Sequence, residues 1–340
     1  MKLAIIDARP ALISALRSVL SRVSGCTVAW CATNGAEALR SLRSERVDVA
    51  LLGLALPDTS AANLTRRLVA EHSFPIVLLA DATPASLSEV YEAMGHGALD
   101  VAPLPSWNQH GNIDADAFLG KLRTVRRLLG HSSGELAGIC GPERAEATAR
   151  GTRLVAIGAS TGGPQALLEI LSGVPRDVPL SFVVVQHVDS EFSEGLAEWL
   201  EQGTNLRVRV ARNGDEPAAG TVLVAGTRDH LVMKAGGSLG YTAEPRALVY
   251  RPSVDVLFSS LVKHWPEPSI AVLLTGMGKD GAQGMSGLRR AGWHTIAQDQ
   301  ATSVVYGMPK AAAELGAATR VLPLGAIARQ LLALAEAPRV

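Results

Sequence analysis

Short apolar runs alternate with amphipathic, helix-length segments throughout residues 1–130. Runs of this length that are rich in Val, Ile and Leu predict buried β-strands, and the segments between them predict helices. Five β-then-α units in succession predict an α/β domain with a parallel, doubly wound sheet, whose functional residues lie at the carboxyl ends of the strands. The predicted strands are 3–6, 27–31, 47–52, 76–80 and 98–102, and the last predicted helix spans about 114–129.

Residues 131–151 lose this periodicity and are rich in Gly, Ser and Ala, which predicts a linker. A second α/β pattern occupies residues 152–340. Because the stretch 206–250 has the pattern of hairpins, we expect a doubly wound sheet that is mostly parallel but mixed, with a β-hairpin region. The predicted strands are 154–159, 180–186, 206–210, 222–225, 231–234, 270–275 and 294–297, and the predicted helices are 163–171, 194–200, 254–263, 281–290 and 324–334.

Length and composition are consistent with two domains, because 340 residues of which 47% are hydrophobic suffice for two full-sized cores. Lys plus Arg and Asp plus Glu number 32 each, so we expect no nucleic-acid partner. Asp7, Arg9 and Arg17 interrupt the N-terminal segment, which therefore does not predict a signal peptide. The sequence contains no uninterrupted apolar stretch of about 18 residues, so we expect no membrane span. The three cysteines lack metal-ligand spacing and fit reduced thiols in a cytoplasmic protein.

A glycine-rich turn follows the first predicted strand of the second domain. Gly158, Ser160 and Gly162 match the pattern G-x-S-x-G, which places a nucleophilic serine on a sharp turn between a strand and a helix. The turn crowds the serine backbone, so small neighbours are needed, and the helix N-terminus supplies free N–H groups near a developing oxyanion. The alternative is a glycine loop that binds a phosphate or a nucleotide. That alternative lacks the lysine of a P-loop and an acidic residue after a second strand.

A serine nucleophile needs a general base at the same edge of the sheet. His187 directly follows an apolar strand and is the candidate base, whereas His294 begins a strand and His264 ends a helix. His230 opens a hairpin strand and remains a candidate for lining the site. Asp280 comes shortly after a further strand and is the candidate partner of the histidine. The alternative role of Asp280 is to cap the helix that follows it.

Five segments of the second domain carry a family resemblance. They read IGASTGGP at 157–164, QH at 186–187, RPSVDVLF at 251–258, LLTGMGKDG at 273–281 and AQDQATSVVYGMPKA at 297–311. In these segments the chain resembles the chemotaxis response-regulator methylesterases, the CheB family, over essentially all of residues 152–336. The resemblance implies an enzyme that hydrolyses glutamate γ-methyl esters on methyl-accepting chemoreceptors. We expect this enzyme to be cytoplasmic and to need no cofactor. The resemblance also implies that some members deamidate receptor glutamines. The expected partners are chemoreceptor cytoplasmic domains, with a chemotaxis histidine kinase or another regulator protein as a second candidate.

The resemblance assigns a role to each matching residue. It implies that Ser160 is the nucleophile, His187 the base and Asp280 the partner of the histidine. It also implies that the backbone N–H of Met277 helps to form the oxyanion hole and that Thr161 packs against the histidine. These two supporting residues come from the resemblance alone, whereas the strand positions point independently to the triad.

Residues 1–130 resemble a response-regulator receiver, which has a flavodoxin-like (βα)5 fold. Receivers bind Mg²⁺ through two adjacent acids after the first strand and phosphorylate an Asp at the end of the third. A Thr or Ser after the fourth strand and a Lys after the fifth respond to the phosphate. The corresponding positions here are Asp7 with Ala8, Gly53, Ala80 and Leu104. A single acid does not make a carboxylate-rich Mg²⁺ site, and glycine is not phosphorylated, so we predict a pseudo-receiver without phosphorylation or metal.

Three hypotheses for the function follow. The first is an active esterase that responds to something other than phosphate. The second is a non-catalytic scaffold that docks on receptors or a kinase through the pseudo-receiver, which would have no use for a serine at a strand-to-helix turn. The third, a DNA-binding regulator, lacks a helix-turn-helix or basic domain after the receiver. Asp58 and Asp81 lie near the phosphorylation positions, but we do not expect either to act as the acceptor.

Overall fold

The computed structural model describes residues 1–72, 74–81, 83–107, 113–129, 152–248 and 250–336. Contacts between Cα atoms divide the chain into two compact units, Met1–Gly134 and Glu135–Val340, and each unit has its own main sheet. The predicted linker 131–151 lies outside the described residues. The domain boundaries therefore stay a prediction.

The first unit follows the predicted alternation of strands and helices. Its elements are β1 (Lys2–Ile6), α1 (Pro10–Ser21), β2 (Thr27–Ala32), α2 (Gly35–Ser44), β3 (Val49–Gly53), α3 (Ala61–Glu71), β4 (Ile76–Ala80), α4 (Pro84–Gly95), β5 (Asp100–Pro103), β6 (Ser106–Trp107), β7 (Ile113–Asp114) and α5 (Asp116–Leu129). The five-stranded sheet is parallel in the order β2-β1-β3-β4-β5, which is the flavodoxin-like order. The predicted α/β class is confirmed. The short antiparallel pair β6–β7 was not predicted, because two-residue strands leave no periodic pattern.

The core of this unit explains why its strands read as continuous apolar runs. Leu3 and Ile5 pack with residues of α1 and α5 on one face of the sheet. Ala4 and Ile6, which point to the opposite face, are also buried. A parallel sheet with helices on both faces has no solvent-facing side, so its central strands lose the alternation of polar and apolar residues.

The second unit is also α/β. Its elements are β8 (Arg153–Ala159), α6 (Gly163–Ser172), β9 (Leu180–Gln186), α7 (Ser193–Gln202), β10 (Arg207–Val210), β11 (Thr221–Val224), β12 (His230–Met233), β13 (Leu239–Thr242), α8 (Val254–His264), β14 (Ile270–Leu273), α9 (Ala282–Arg290), β15 (His294–Gln298), α10 (Met308–Glu314), β16 (Arg320–Leu322) and α11 (Leu324–Glu336). The seven-stranded sheet has the order β10-β11-β9-β8-β14-β15-β16.

The hairpin region is present, but the expectation of a mixed sheet is wrong. All the strand pairs of the seven-stranded sheet are parallel, and β12 and β13 pair antiparallel in a separate two-stranded sheet. Leu231, Met233 and Leu239 of this hairpin are buried in the same core as residues of α8. The hairpin therefore buries its apolar face against a helix and does not need a place in the main sheet.

The order of the strands reverses beside β8. From β8 the chain continues to β9 and then to β10 and β11 on one side, whereas β14, β15 and β16 extend the sheet on the other side. In open α/β sheets, ligands bind outside the carboxyl ends of the strands at such a reversal. The residues that follow β8, β9 and β14 therefore share the edge where a site is expected.

Candidate active site

Ser160 occupies the turn between β8 and α6 at this edge. Its backbone N–H donates to the carbonyl of Thr275 (3.0 Å), and its carbonyl accepts from the Gly163 N–H (2.8 Å). The same carbonyl accepts a second hydrogen bond from Nε2 of Gln186 (2.8 Å). Ser160 is 8% exposed. These hydrogen bonds hold the serine backbone from β9 and from the segment that follows β14.

Steric crowding around Ser160 explains the glycines of the motif. Gly162 has φ of 77°, in the left-handed region that other residues rarely adopt. A Cβ on Gly163 would lie 2.0 Å from Oε1 of Gln186. Gly276, which comes from the segment after β14, is equally constrained, since its Cβ would lie 2.6 Å from Cβ of Ser160. Gly162 belongs to the G-x-S-x-G pattern, whereas Gly163 and Gly276 lie in the segments IGASTGGP and LLTGMGKDG that resemble the family.

His187 is the next residue after β9 and lies beside Ser160 in register. Ala159 pairs with Gln186, and the N–H of His187 extends this ladder by donating to the Ala159 carbonyl (2.9 Å). The ring nitrogen Nε2 is 2.9 Å from Oδ2 of Asp280. A carboxylate only accepts, so the proton of the neutral ring is on Nε2. Nδ1 is buried and, among the described residues, has no hydrogen-bond partner, which leaves it as the basic nitrogen.

Asp280 is held at the N-terminus of α8. Its Oδ1 accepts from the Ser253 hydroxyl (2.8 Å) and the Asp255 N–H (3.0 Å), and its Oδ2 accepts from the Val254 N–H (2.7 Å) and from His187. Burial by itself raises the pKa of Asp280, but the hydrogen bond and charge of His187, together with the bonds from α8, hold that pKa below its usual value. The carboxylate therefore stays ionised at neutral pH.

Asp280 does not cap the helix that follows it, which was the alternative role considered from the sequence. Helix α9 has Gly281 as its N-cap, without a side-chain capping hydrogen bond. The carboxylate instead meets the start of α8, which precedes β14 in the chain. A helix N-terminus carries partial positive charge and unsatisfied N–H groups, so it stabilises an anion. One carboxylate therefore both binds His187 and satisfies the first N–H groups of α8.

A second carboxylate, Asp255, lies next to Asp280. Burial is the main cause of the raised pKa of Asp255. A hydrogen bond from the Gly284 N–H (2.7 Å) lowers this pKa in part, and repulsion by Asp280 raises it further. The resulting pKa is about 6, compared with 3.8 for an ordinary aspartate. Asp255 therefore ionises only near neutral pH, when it places a second negative charge beside the triad carboxylate.

We expect Asp255→Asn to stabilise the protein at pH 8 more than at pH 4.5. The folded state binds the proton of Asp255 more tightly than the unfolded state, so stability falls as the pH rises from about 4 to about 6 and stays lower above that. Asparagine keeps the oxygen that accepts from Gly284 and removes the charge. Because the group is partly exposed, the additional gain at pH 8 is about 1 kcal/mol, or about 2 °C in Tm. Thermal unfolding at both pH values measures it, and an equal gain at both would contradict the raised pKa.

The two supporting residues are Thr161, which directly follows Ser160, and Met277 in the segment after β14. Met277 follows Gly276, whose N–H donates to the Val305 carbonyl (2.9 Å). The carbonyl of Thr161 accepts from the Thr275 hydroxyl (2.9 Å). Within the described part of the chain, the N–H groups of Met277 and Thr161 donate to no acceptor. Both are therefore free for an oxyanion, and the contact of Thr161 with His187 stays a prediction.

The other histidines of this unit are away from Ser160 or fully engaged. His294 begins β15 at the opposite end of the sheet, where burial lowers its pKa. His264 is the exposed last residue of α8. His230 is fully buried, and its Nδ1 accepts from the Ser253 N–H (3.1 Å). His230 thus contacts the residue that donates to Asp280. Among the described residues its ring bonds to Ser253 and Pro245, and not to Asp280 or Ser160.

Three residues that support the site were not singled out from the sequence. Gln186 binds the Ser160 carbonyl, and Ser253 binds Asp280. Both belong to segments that resemble the family, QH and RPSVDVLF, so a signal for them was present. Tyr250 stacks on the ring of His187, with centroids 4.4 Å apart and an angle of 2° between the planes. It precedes RPSVDVLF directly, and no local pattern marked it.

In the receiver-like unit, Asp7 and Arg9 form an ion pair beside position 53, where a receiver has its phosphorylated aspartate. Asp7 follows β1, is 1% exposed, and accepts from Arg9 through the backbone N–H (2.8 Å), Nε (2.9 Å) and Nη2 (2.8 Å). Gly53 ends β3, and a Cβ on it would lie 1.9 Å from Oδ2 of Asp7. The Asp7 side chain therefore occupies the space that an acceptor side chain at position 53 would need. Ala80 and Leu104 line a cavity of about 210 Å³ nearby, together with Arg9.

The two other acids considered for this unit have different surroundings. Asp58 accepts from the N–H groups of Gly35 and Ala36 (both 2.8 Å), and these two bonds are the main cause of its lowered pKa. Asp58 thus accepts hydrogen bonds from the first N–H groups of α2. Asp81 is exposed at the rim of the cavity. In the part of the chain that the structure describes, no three His, Cys, Asp or Glu side chains cluster in a way that could hold a metal ion.

Fold and site together define a receiver-like α/β unit followed by an α/β unit with Ser, His and Asp at the carboxyl ends of adjacent parallel strands. The CheB methylesterase family model matches residues 155–331, and the response regulator receiver domain model matches residues 3–103. The chain therefore belongs to the CheB methylesterase family. No described helix is long and apolar enough to cross a membrane.

Individual relatives cover the whole chain. It is 47% identical to protein-glutamate methylesterase/protein-glutamine glutaminase 1 of Burkholderia lata, over 99% of this chain and 100% of that protein. It is 45% identical to the protein-glutamate methylesterase/protein-glutamine glutaminase of Mesorhizobium japonicum, over 99% of each. The catalytic domain of Thermotoga maritima CheB methylesterase is 38% identical, with a TM-score of 0.52, covering 55% of this chain and 100% of that domain.

Proposed function

We propose that this protein is a serine esterase that hydrolyses glutamate γ-methyl esters on methyl-accepting chemoreceptors. The observation that carries the proposal is the hydrogen bond from Nε2 of His187 to Asp280, which leaves Nδ1 as the basic nitrogen beside Ser160. The names of the full-length relatives support the reaction and the substrate. They also argue against a non-catalytic scaffold, which would not require an ionised carboxylate behind a buried histidine.

The reaction follows from the protonation states of the three groups. Oγ of Ser160 attacks the ester carbonyl while its proton moves to Nδ1 of His187, and the carbonyl electron pair moves onto oxygen. The ionised Asp280 stabilises the imidazolium that forms. Collapse of the tetrahedral intermediate breaks the bond to the methoxy group, which leaves as methanol with the proton from Nδ1. Water then attacks the acyl-enzyme with Nδ1 again as base, which releases the glutamate carboxylate and restores Ser160.

We propose that the N–H of Met277 and the N–H groups at the start of α6 stabilise the negative oxygen of the tetrahedral intermediate. The free N–H of Met277 and that of Thr161 support this assignment. Each such donor is worth about 100- to 1,000-fold in rate. Thr161, whose carbonyl is held by Thr275, would also pack against His187 and limit its movement.

Deamidation of receptor glutamines is the second reaction that we propose for this site. The relatives' names include protein-glutamine glutaminase. The same attack of Ser160 on a side-chain amide gives the same acyl-enzyme, and the proton on Nδ1 of His187 passes to the departing nitrogen, which leaves as ammonia. Both substrates yield glutamate, so one acyl intermediate serves both reactions.

The biological setting is proposed from the same family relationship. We infer a cytoplasmic protein with a receiver-like domain at 1–130, a linker at 131–151 and a methylesterase domain at 152–340. Its partners are the cytoplasmic domains of chemoreceptors, with a chemotaxis histidine kinase or another regulator as a further partner. The Asp7–Arg9 pair beside Gly53 supports a receiver-like domain that does not accept phosphate.

Release of labelled methanol from receptor methylated with a labelled methyl group tests the proposed function. Wild type should release methanol, and Ser160→Ala should not. Ser172→Ala is a matched control, because Ser172 is an exposed serine at the end of α6 and its loss should leave the rate unchanged. Release by Ser160→Ala at a rate comparable with that of wild type would show that the serine mechanism is wrong.

A further inference from the structure

The ring of His187 is held at one atom by Asp280 and across one face by Tyr250. The hydrogen bond of Nε2 to Oδ2 (2.9 Å) fixes one nitrogen but leaves the ring plane free to tilt about that contact. The nearly parallel ring of Tyr250, 4.4 Å away, fixes the plane. With both contacts present, the direction in which Nδ1 points is determined.

Tyr250 is itself anchored by groups outside the triad. The neighbouring Arg251 donates to Oδ1 of Asp229 (3.1 Å) from Nη2. Gly278 also approaches the tyrosine closely, because it has φ of 83° and a Cβ there would lie 3.2 Å from the Tyr250 hydroxyl. The tyrosine ring therefore stacks on the imidazole of His187 by one face and comes close to the backbone of Gly278 at its hydroxyl end.

His230 connects this anchoring to Asp280. It is fully buried, and its Nδ1 accepts from the Ser253 N–H (3.1 Å), so the ring proton is on Nε2, which donates to the Pro245 carbonyl (3.2 Å). One histidine on β12 thus holds positions on both sides of Tyr250 in the chain. Ser253 in turn donates its hydroxyl to Asp280. His230 is therefore linked to Asp280 through Ser253, and Tyr250 lies in the segment that His230 holds at Pro245 and Ser253.

We propose that Tyr250 is a positioning residue for His187, which sets the plane of the imidazole so that Nδ1 faces Ser160. This inference rests on the proposed function, since it assigns Tyr250 a part in that same reaction. The face of the tyrosine ring also stabilises the positive charge that His187 gains in the transition state, as a cation over an aromatic face is attracted to it. The tyrosine hydroxyl has no part in either effect, so a phenyl ring suffices.

Kinetics of full-length Tyr250→Phe, Tyr250→Leu and Tyr250→Met test the proposal on methylated receptor and on p-nitrophenyl acetate, a small ester without receptor contacts. Tyr250→Phe should keep the wild-type kcat on both substrates within about twofold. The Leu and Met variants should lose about 10- to 30-fold in kcat on both substrates, with KM nearly unchanged, because the effect acts through the base and not through binding. Unfolding midpoints close to that of wild type should accompany these losses.

Several outcomes would overturn the proposal. A loss confined to the receptor substrate, or confined to KM, would make Tyr250 a receptor contact. A kcat loss in Tyr250→Phe equal to that in Tyr250→Leu would assign the effect to the hydroxyl, and unchanged kcat in the Leu and Met variants would remove the role altogether. Ser160→Ala, measured alongside, separates a failure of the proposed function from a failure of this inference. Activity in Ser160→Ala would refute the proposed function. An inactive Ser160→Ala together with a fully active Tyr250→Leu would refute only the role of Tyr250.

Discussion

Ser160→Ala and His187→Ala are each expected to lower kcat for methylated receptor by about 10⁴-fold or more, and the double variant should be little slower than either. The two side chains act as a unit, because the serine is a weak nucleophile until a base removes its proton. Removal of either partner leaves the same residual catalysis from the oxyanion donors and binding. Labelled-methanol release, measured in single-turnover conditions, gives the rates.

Matched substitutions test whether these losses are specific to the site. His264→Ala removes an exposed histidine at the end of α8 and should leave the rate unchanged. Asp280→Asn should lose somewhat less activity than His187→Ala, because the histidine remains in place but its imidazolium loses a counter-charge. If the losses of Ser160→Ala and His187→Ala multiplied in the double variant, the two residues would act independently and the shared mechanism would be contradicted.

Acetyl phosphate with Mg²⁺ is expected neither to label residues 1–130 nor to change the esterase rate. Position 53 has no acceptor side chain, the adjacent acid pair is reduced to Asp7, and Asp7 is occupied by three hydrogen bonds from Arg9. The guanidinium thus takes the place beside the carboxylate that a metal ion would need. Incubation with radiolabelled acetyl phosphate, followed by gel autoradiography and a parallel esterase assay, measures both effects.

The variant Gly53→Asp sharpens this prediction. Restoring an acid at position 53 alone should not restore labelling, because its Cβ would fall 1.9 Å from Oδ2 of Asp7 and the new carboxylate would lie against an existing one. An intact receiver from another protein serves as the positive control for the phosphodonor. Labelling of the unmodified chain, including labelling at Asp58 or Asp81, would show that the unit is not a pseudo-receiver.

Secondary structure was predictable where the residue pattern was continuous and failed where segments were short. The runs around β8 and β9 are fully buried and apolar, so their strands were evident. β16 is a three-residue edge strand that is largely exposed, and β13 contains a glycine and only four residues. Helix α10 was not predicted, since its seven residues are too few to show a periodic apolar face. The hairpin was recognised as such but assigned to the wrong sheet, because pairing is not encoded locally.

The identity of the candidate triad follows from the sequence for a local reason. Each of Ser160, His187 and Asp280 comes at or shortly after the end of a strand that the chain pattern reveals, and parallel strands end at a common edge. The glycines around the serine likewise follow from a turn that only small residues fit. These properties depend on neighbours in the chain, so they can be predicted from the sequence without knowledge of the tertiary structure.

Tertiary structure alone decided how the three groups are arranged and held. The placement of β8 between β9 and β14 makes the strand ends adjacent, and the packing of α8 brings its N-terminus to Asp280. The assignment of the basic nitrogen to Nδ1 and the stacking of Tyr250 depend on the same packing. All of these contacts join residues far apart in the chain, and their free energy depends on distances that periodicity and local propensity do not specify.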